Sequence, residues 1–373
     1  MPYDSRDDKA FAFDGDWREF APIALTNLLL CVVTLGVYLF WARTRERRYL
    51  WSRTRFIDDR LEWTGTGLEL FIGYVFALVL FAIPFSLINF IALNGAMMRG
   101  HEGLAALIGF VMYLFLISLT GVAIFRALRY RLSRTLWHGI RGGSDAFGLA
   151  FGFSYLWKTV LGSFALGLLI PWSMTSLWNE RWGRMSFGPH RFHAEARAGS
   201  IFLKFLLFYL APIIAFFVIA ILFAIFGVFA AMLGGFPQGG SEGGGAPPEG
   251  FMVILFAIGA AAYLLFFVVL GVVALVYYSA YFSEAVGKLT LGELQFAFTA
   301  TTKDWIRLFL GNFLLVICTL GVGQVFVGYR NWTFFIRHMH AYGEMNLDTL
   351  TQSTTREPGQ GEGLLDAFDI GAI

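Results

Sequence analysis

Four uninterrupted apolar runs constrain this chain more than any other feature: Leu68–Leu93, Leu104–Ile124, Ile201–Leu233 and Phe251–Tyr281. Each supplies the ~20 mostly apolar residues that a helix needs to cross a bilayer. The last two are long enough to tilt or to reach past the headgroups. A water-soluble globule could not cover such surface, because only 14% of the residues are charged against about 25% in soluble domains. The expectation is an all-α integral membrane protein with four clear transmembrane helices.

Three further apolar runs, Phe20–Trp41, Phe147–Trp178 and Trp305–Val327, are broken near their final third. The breaks are Thr34-Leu35-Gly36, Ile170-Pro171-Trp172 and Thr319-Leu320-Gly321. The first and third runs align without gaps at an offset of 285 residues. Phe11-Ala12-Phe13 falls on Phe296-Ala297-Phe298, Asn27 on Asn312, Gly36 on Gly321 and Arg45 on Arg330. The middle run matches weakly at an offset of 136, which pairs Arg45 with Arg181. The pattern predicts repeat units over 1–130 and 131–285, each a broken helix plus two spans, and a truncated unit over 286–373. Alternation in His190–Ala198, Phe11–Phe13 and Leu294–Phe298 predicts short strands at the membrane face. Gly234–Gly250 has the composition of a flexible loop. The acidic, mixed start lacks the features of a secretory signal, so no cleavage is expected.

Lysine and arginine collect in cytoplasmic loops. Seven plain spans would divide 24 loop lysines and arginines 14 to 10, which is barely a bias. If the three broken runs enter and leave on the same side, only 94–103 and 235–250 lie outside. These two loops hold one of the 24, Arg99. The charge rule favours re-entrant helical hairpins with both termini in the cytoplasm. Only six to eight apolar residues follow each break, so such hairpins must be shallow.

The run from Asn27 through Thr34-Leu-Gly-Val-Tyr-Leu-Phe-Trp-Ala-Arg-Thr-Arg-Glu-Arg-Arg-Tyr49 resembles the YjgN family of bacterial inner-membrane proteins. So do Trp63-Thr-Gly-Thr-Gly67, Trp137-His-Gly-Ile-Arg-Gly-Gly143 and the ending Gly361-Glu-Gly-Leu-Leu-Asp-Ala-Phe-Asp-Ile-Gly371. The resemblance covers nearly the whole chain. It implies a multi-pass protein of the bacterial inner membrane and adds no chemistry, because that family is a domain of unknown function.

The candidate site residues are those the repeat brings forward: Asn27, Gly36, Arg45, Arg48, Arg181, Asn312, Gly321 and Arg330. The two asparagines suit hydrogen bonds between helices. Arg45 and Arg48 belong to a cluster with Arg43, Arg47, Arg53 and Arg55, interleaved with Tyr49, Trp51 and Phe56. Such a cluster either holds its loop in the cytoplasm or attracts anionic lipid headgroups or an anionic solute. The expected partners are the lipid bilayer and anionic headgroups. Nucleic-acid binding would need a basic soluble domain, and the net charge is only +2. Lys158, Lys204 and Arg307 lie near segment ends, where snorkelling accounts for them. His338-Met-His340 and His190-Arg-Phe-His193 have no matching cysteine or paired carboxylate beside them, so neither metal nor cofactor is expected. No catalytic motif occurs, so no enzyme is expected. Cys31 and Cys318 sit inside apolar runs and suggest no disulfide. The apolar and acidic tail Leu364–Ile370 is expected to dock on the protein or on a partner. Broken helices in repeated units suit transport or permeation of a small solute or lipid. The alternative is a non-catalytic scaffold or regulator acting through its cytoplasmic face and tail.

Overall fold

The computed structural model describes residues 10–232, 249–343 and 350–358. The chain divides into two units, one of 1–198, 282–300 and 307–373 and a second of 199–281 and 301–306. The flexible-loop segment 234–248 and the tail beyond 358 lie outside the described residues.

The first unit alternates helical excursions with short strands. Strand β1 (Phe11–Phe13) leads into α1 (Trp17–Val33) and α2 (Leu39–Ser52), and the chain returns at β2 (Thr54–Phe56), which pairs with β1. Two short strands follow, β3 (Asp59–Arg60) and β4 (Glu62–Trp63). Next come α3 (Gly67–Ala77), α4 (Ile83–Met98) and α5 (Glu102–Arg134), and the return strand β5 (Thr135–Trp137) pairs with β4. Strand β6 (Ile140–Gly143) opens the hairpin of α6 (Leu149–Ser163) and α7 (Ile170–Trp182), and its partner β7 (Ser186–Phe187) closes it. After β8 (His190–Ala194) the chain leaves through α8 (Ala198–Met232) and α9 (Glu249–Gly287), re-entering at β9 (Leu289–Leu291), the partner of β8. Strand β10 (Leu294–Phe298) opens the last hairpin, α10 (Thr302–Cys318) and α11 (Val327–His338), which ends at its partner β11 (Met339–Tyr342).

All these pairings are antiparallel. Strands β4 to β11 form one eight-stranded sheet in sequence order, and β1 to β3 form a second sheet. An antiparallel sheet built in chain order places successive connections at alternate ends. Here every second connection is a two-residue turn, such as His138-Gly139 between β5 and β6, where both residues have positive φ. That is the hairpin geometry of a type I′ turn. The remaining connections are the helical excursions, each of which begins and ends on a pair of neighbouring strands. The all-α expectation is therefore corrected. The chain is mostly helical, but its short strands join into a substantial antiparallel sheet. Backbone pairing drives this, since isolated two- or three-residue strands would leave their polar groups unsatisfied.

Four helical segments are long and apolar enough to span a membrane: Gly67–Met98, Glu102–Arg134, Ala198–Ile225 and Phe256–Gly287. At most 11% of the most apolar stretch of any of them is buried. Their apolar side chains are left for lipid to cover. The first span starts at a capping box. Thr66 accepts from the backbone N–H of Glu69 (3.2 Å), and the Glu69 carboxylate accepts from that of Thr66 (3.3 Å). Pro84 has no N–H for the helical ladder, and the helix loosens into a π-turn over Leu78–Ala82 just before it. In the second unit, Phe208 stacks on Tyr277 at 6.0 Å and Phe205 meets the same ring edge-on at 5.4 Å.

Candidate functional site

The three broken runs fold as helical hairpins with closely similar turns. Leu35 and Gly36 take φ of 50° and 90°, Leu320 and Gly321 take 50° and 93°, and Leu166 and Gly167 take 57° and 83°. In the first hairpin Thr34 ties the arms together. Its Oγ1 donates to the Leu30 carbonyl (2.7 Å) and accepts from the Tyr38 N–H (3.0 Å). Thr319 does the same with Leu315 and Gly323, both at 2.6 Å. Each hydroxyl thus satisfies one N–H that the start of the second arm would leave open and adds a second bond to a carbonyl that already accepts from the threonine's own N–H.

The middle break falls at Leu166-Gly167, before Ile170-Pro171-Trp172. Pro171 instead begins the second arm, where its missing N–H does no harm. The residue preceding that leucine is Ala165, which lacks the threonine hydroxyl.

Each hairpin carries a polar staple between its arms. Asn27, 2% exposed, donates to the Ala42 carbonyl (3.2 Å), and its Oδ1 accepts from Arg45 Nη1 (3.0 Å). The same Arg45 nitrogen donates to Tyr38 Oη (3.2 Å). In the third hairpin Asn312 Oδ1 accepts from Arg330 Nε (2.7 Å), and Asn312 donates to Asn331 (2.9 Å). Asn27, Asn312 and Lys158 each stand eight residues before the turn leucine. In the middle hairpin Lys158 donates to Glu180 Oε2 (2.6 Å), Ser154 donates to the same oxygen, and Arg184 bridges Oε1 at 2.7 Å. Sequence matching missed Glu180, because the asparagine–arginine pair is replaced there by a lysine–carboxylate pair with no common residue.

The structure therefore brings together Asn27 with Arg45 and Asn312 with Arg330, and sets Gly36 and Gly321 at their turns. Arg48 is exposed on α2. Arg181 is buried with its guanidinium 5.3 Å from the Trp178 ring. The first and third hairpins pack together through aromatics. Tyr329 stacks on Phe20 (5.0 Å), Trp332 stacks on Trp51 (4.2 Å), and Trp332 donates to Thr54 (2.9 Å).

The charges are compensated unequally. In the middle hairpin Glu180 neutralises Lys158. In the first, Arg43 pairs with Glu46 (3.4 Å) and Arg53 with Glu19 (2.7 Å). Among the described residues no carboxylate pairs with Arg45 or Arg330, which are held by neutral oxygens alone. The hairpin tips are apolar and uncovered. Leu320 is 95% exposed, Leu35 94% and Leu166 81%.

A second polar constellation lies at the foot of α5. Arg134 bridges Glu69 (2.9 Å) and Glu357 (2.6 Å). Arg129 donates to the Arg356 carbonyl (3.2 Å), and Arg141 donates to the carbonyls of Ser353 and Thr355. Gln352 completes the strap by donating to Gly139 O (2.9 Å). Residues 350–358 are thereby fastened across the β5–β6 turn. This docking precedes Leu364–Ile370, the segment expected to dock.

The model of a family described as bacterial protein of unknown function (DUF898) matches residues 8–367. The chain belongs to this family. It is also similar to the inner membrane protein YjgN of Salmonella typhimurium, 28% identical over 131 residues, and to that of Escherichia coli O157:H7, 30% identical over 132 residues. Each match covers 35% of this chain and 30% of the relative. No solved structure matches the chain.

Proposed function

We propose that the chain is an inner-membrane protein that pushes three shallow hairpins into one leaflet and so eases the passage of lipid across the bilayer. The exposed leucines at the hairpin turns carry this reading. A left-handed backbone disfavours an ordinary L-residue by ~1–2 kcal/mol, and asparagine tolerates it better. An aqueous turn would favour asparagine or glycine there. Leucine suits a tip that lies among acyl chains.

The hairpin arms are too short to cross the bilayer. The longest first arms, α1 and α10, have 17 residues each, or about 25 Å at 1.5 Å per residue. That is short of the ~30 Å hydrocarbon core. Turn backbone groups pair with one another, and Thr34 and Thr319 take up one further N–H each, as irregular backbone inside a membrane requires. The first and middle hairpins and the α3–α5 spans each begin and end on paired strands of the first unit, so each returns to the side that it left. The arginine distribution supports a cytoplasmic side for these returns and for both termini. Apolar wedges inserted from one side thin the bilayer, and thinning lowers the barrier to a headgroup in transit.

A second reading, a scaffold acting through the cytoplasmic face and tail, is favoured by the docked strap at 350–358.

Cysteine labelling in intact cells tests the topology. His101→Cys, in the turn between α4 and α5, is expected to react with an impermeant reagent, while Ser52→Cys and Ser186→Cys stay protected. Reaction at residue 186 would overturn the hairpins. In vesicles containing the protein, lipid labelled in the inner leaflet is expected to become reducible from outside. A rate equal to that of empty vesicles would remove lipid passage and leave the scaffold reading.

A further inference from the structure

We infer that the first and third hairpins each hold a phosphate-bearing anion on Arg45 and Arg330, and that the middle hairpin holds none. The inference rests on the leaflet-insertion reading for the depth of these residues, and on separate observations for their chemistry.

Both guanidinium groups are anchored at one edge and uncompensated in charge. Arg45 spends Nη1 on Asn27 and Tyr38. Arg330 spends Nε on Asn312. Among the described residues these are the hydrogen bonds that the two guanidinium groups make. Gly311 shapes the third-hairpin seat, because a Cβ there would collide with Arg330 Nη2. A neutral amide oxygen fixes an arginine without cancelling its charge, so the cation keeps its attraction for an external anion. A planar fork with free donors matches phosphate oxygens in pairs. The middle hairpin is the internal contrast. Its staple cation, Lys158, is closed by Glu180, Glu180 is further occupied by Ser154 and Arg184, and Arg181 is buried with its guanidinium against the Trp178 ring.

Depth agrees with a phosphate at the bilayer surface. Arg45 and Arg330 each follow the turn glycine by nine residues, or about 13 Å of helix. One leaflet contributes about 15 Å of hydrocarbon. A tip just short of the midplane therefore sets both guanidinium groups at the headgroup level. A phospholipid headgroup and free inorganic phosphate share the chemistry this site recognises.

The test uses the full chain in mild detergent, with bound lipid counted by native mass spectrometry after exposure to phosphatidylglycerol or phosphatidylcholine. Arg45→Gln and Arg330→Gln are each expected to lose one retained phosphatidylglycerol and the double variant two, while Lys158→Gln loses none. Asn312→Asp gives the discriminating result. It places a carboxylate on Arg330, and Asn331 can rotate its amide to donate to it. It is expected to lose one lipid with its thermal midpoint at or above that of the parent, which a purely structural role would not produce. Full lipid retention in folded Arg→Gln variants, or in Asn312→Asp, overturns the inference. Inorganic phosphate at millimolar concentration separates the sources. If it displaces the retained lipid and raises the thermal midpoint of lipid-free protein, the ligand is the small anion; if it does neither, the ligand is the headgroup. A spin label at Leu320→Cys in vesicles reports insertion independently. A water-exposed label with arginine-dependent retention of lipid would sink the hairpin reading and spare the anion sites.

Discussion

Replacing Leu320 by Asn distinguishes a tip in lipid from a tip in water by the sign of its effect. Leu320 is 95% exposed and holds φ at 50°. Relief of left-handed strain is worth up to ~1 kcal/mol, because asparagine adopts this backbone more readily. In water nothing opposes that gain, since the leucine side chain is already uncovered, and the variant would be more stable. In hydrocarbon two greater costs oppose it. Withdrawing a leucine side chain from an apolar medium loses ~2 kcal/mol, and an amide without a partner costs about 1–3 kcal/mol. The balance is a loss of roughly 2–4 kcal/mol. Thermal unfolding of the parent and variant in lipid nanodiscs reads the difference directly. The midpoint is expected to fall for Leu320→Asn and for Leu35→Asn. A midpoint that rises would refute the placement of these turns among acyl chains.

Three other outcomes follow from the staples and the strap. Glu180→Gln leaves Lys158 buried without its counter-charge and should destabilise the protein by ~3–5 kcal/mol, whereas the double variant Lys158→Met, Glu180→Leu should unfold at or near the parent midpoint. Thr319→Val removes the acceptor for the Gly323 N–H and the donor to Leu315 O; a loss of about 1–3 kcal/mol is expected, with faster hydrogen exchange at Gly323. Arg141→Ala releases the carbonyls of Ser353 and Thr355, so tryptic cleavage after Arg356 should accelerate on the order of tenfold, and an unchanged rate would show that Arg129 and Arg134 hold the strap alone.

Much of the site could be read from residue order because its logic is local. Thr34-Leu35-Gly36 and Thr319-Leu320-Gly321 encode the turn within a few residues, through one hydroxyl and two left-handed positions. Asn27 with Arg45 and Asn312 with Arg330 share an identical spacing, so an alignment of the chain with itself brought all four forward, while their pairing was visible only in the structure. The middle hairpin escaped because Ala165 replaces the threonine and because Lys158 and Glu180 do the same work with different residues. A staple is defined by charge and distance between two arms, and neither survives as a residue match.

The four apolar runs by themselves determined that the chain spans a membrane and approximately where, because length and hydropathy are properties of consecutive residues. The tertiary structure decided how the excursions are tied together. Strands as short as Glu62–Trp63 and Ser186–Phe187 carry almost no signal of their own. They become a sheet only because partners up to about a hundred residues apart, such as His193 and Thr290, satisfy each other's backbone groups. Which arginine stays uncompensated is likewise set by what the fold brings beside it: an amide oxygen for Arg45 and Arg330, and a carboxylate for Lys158.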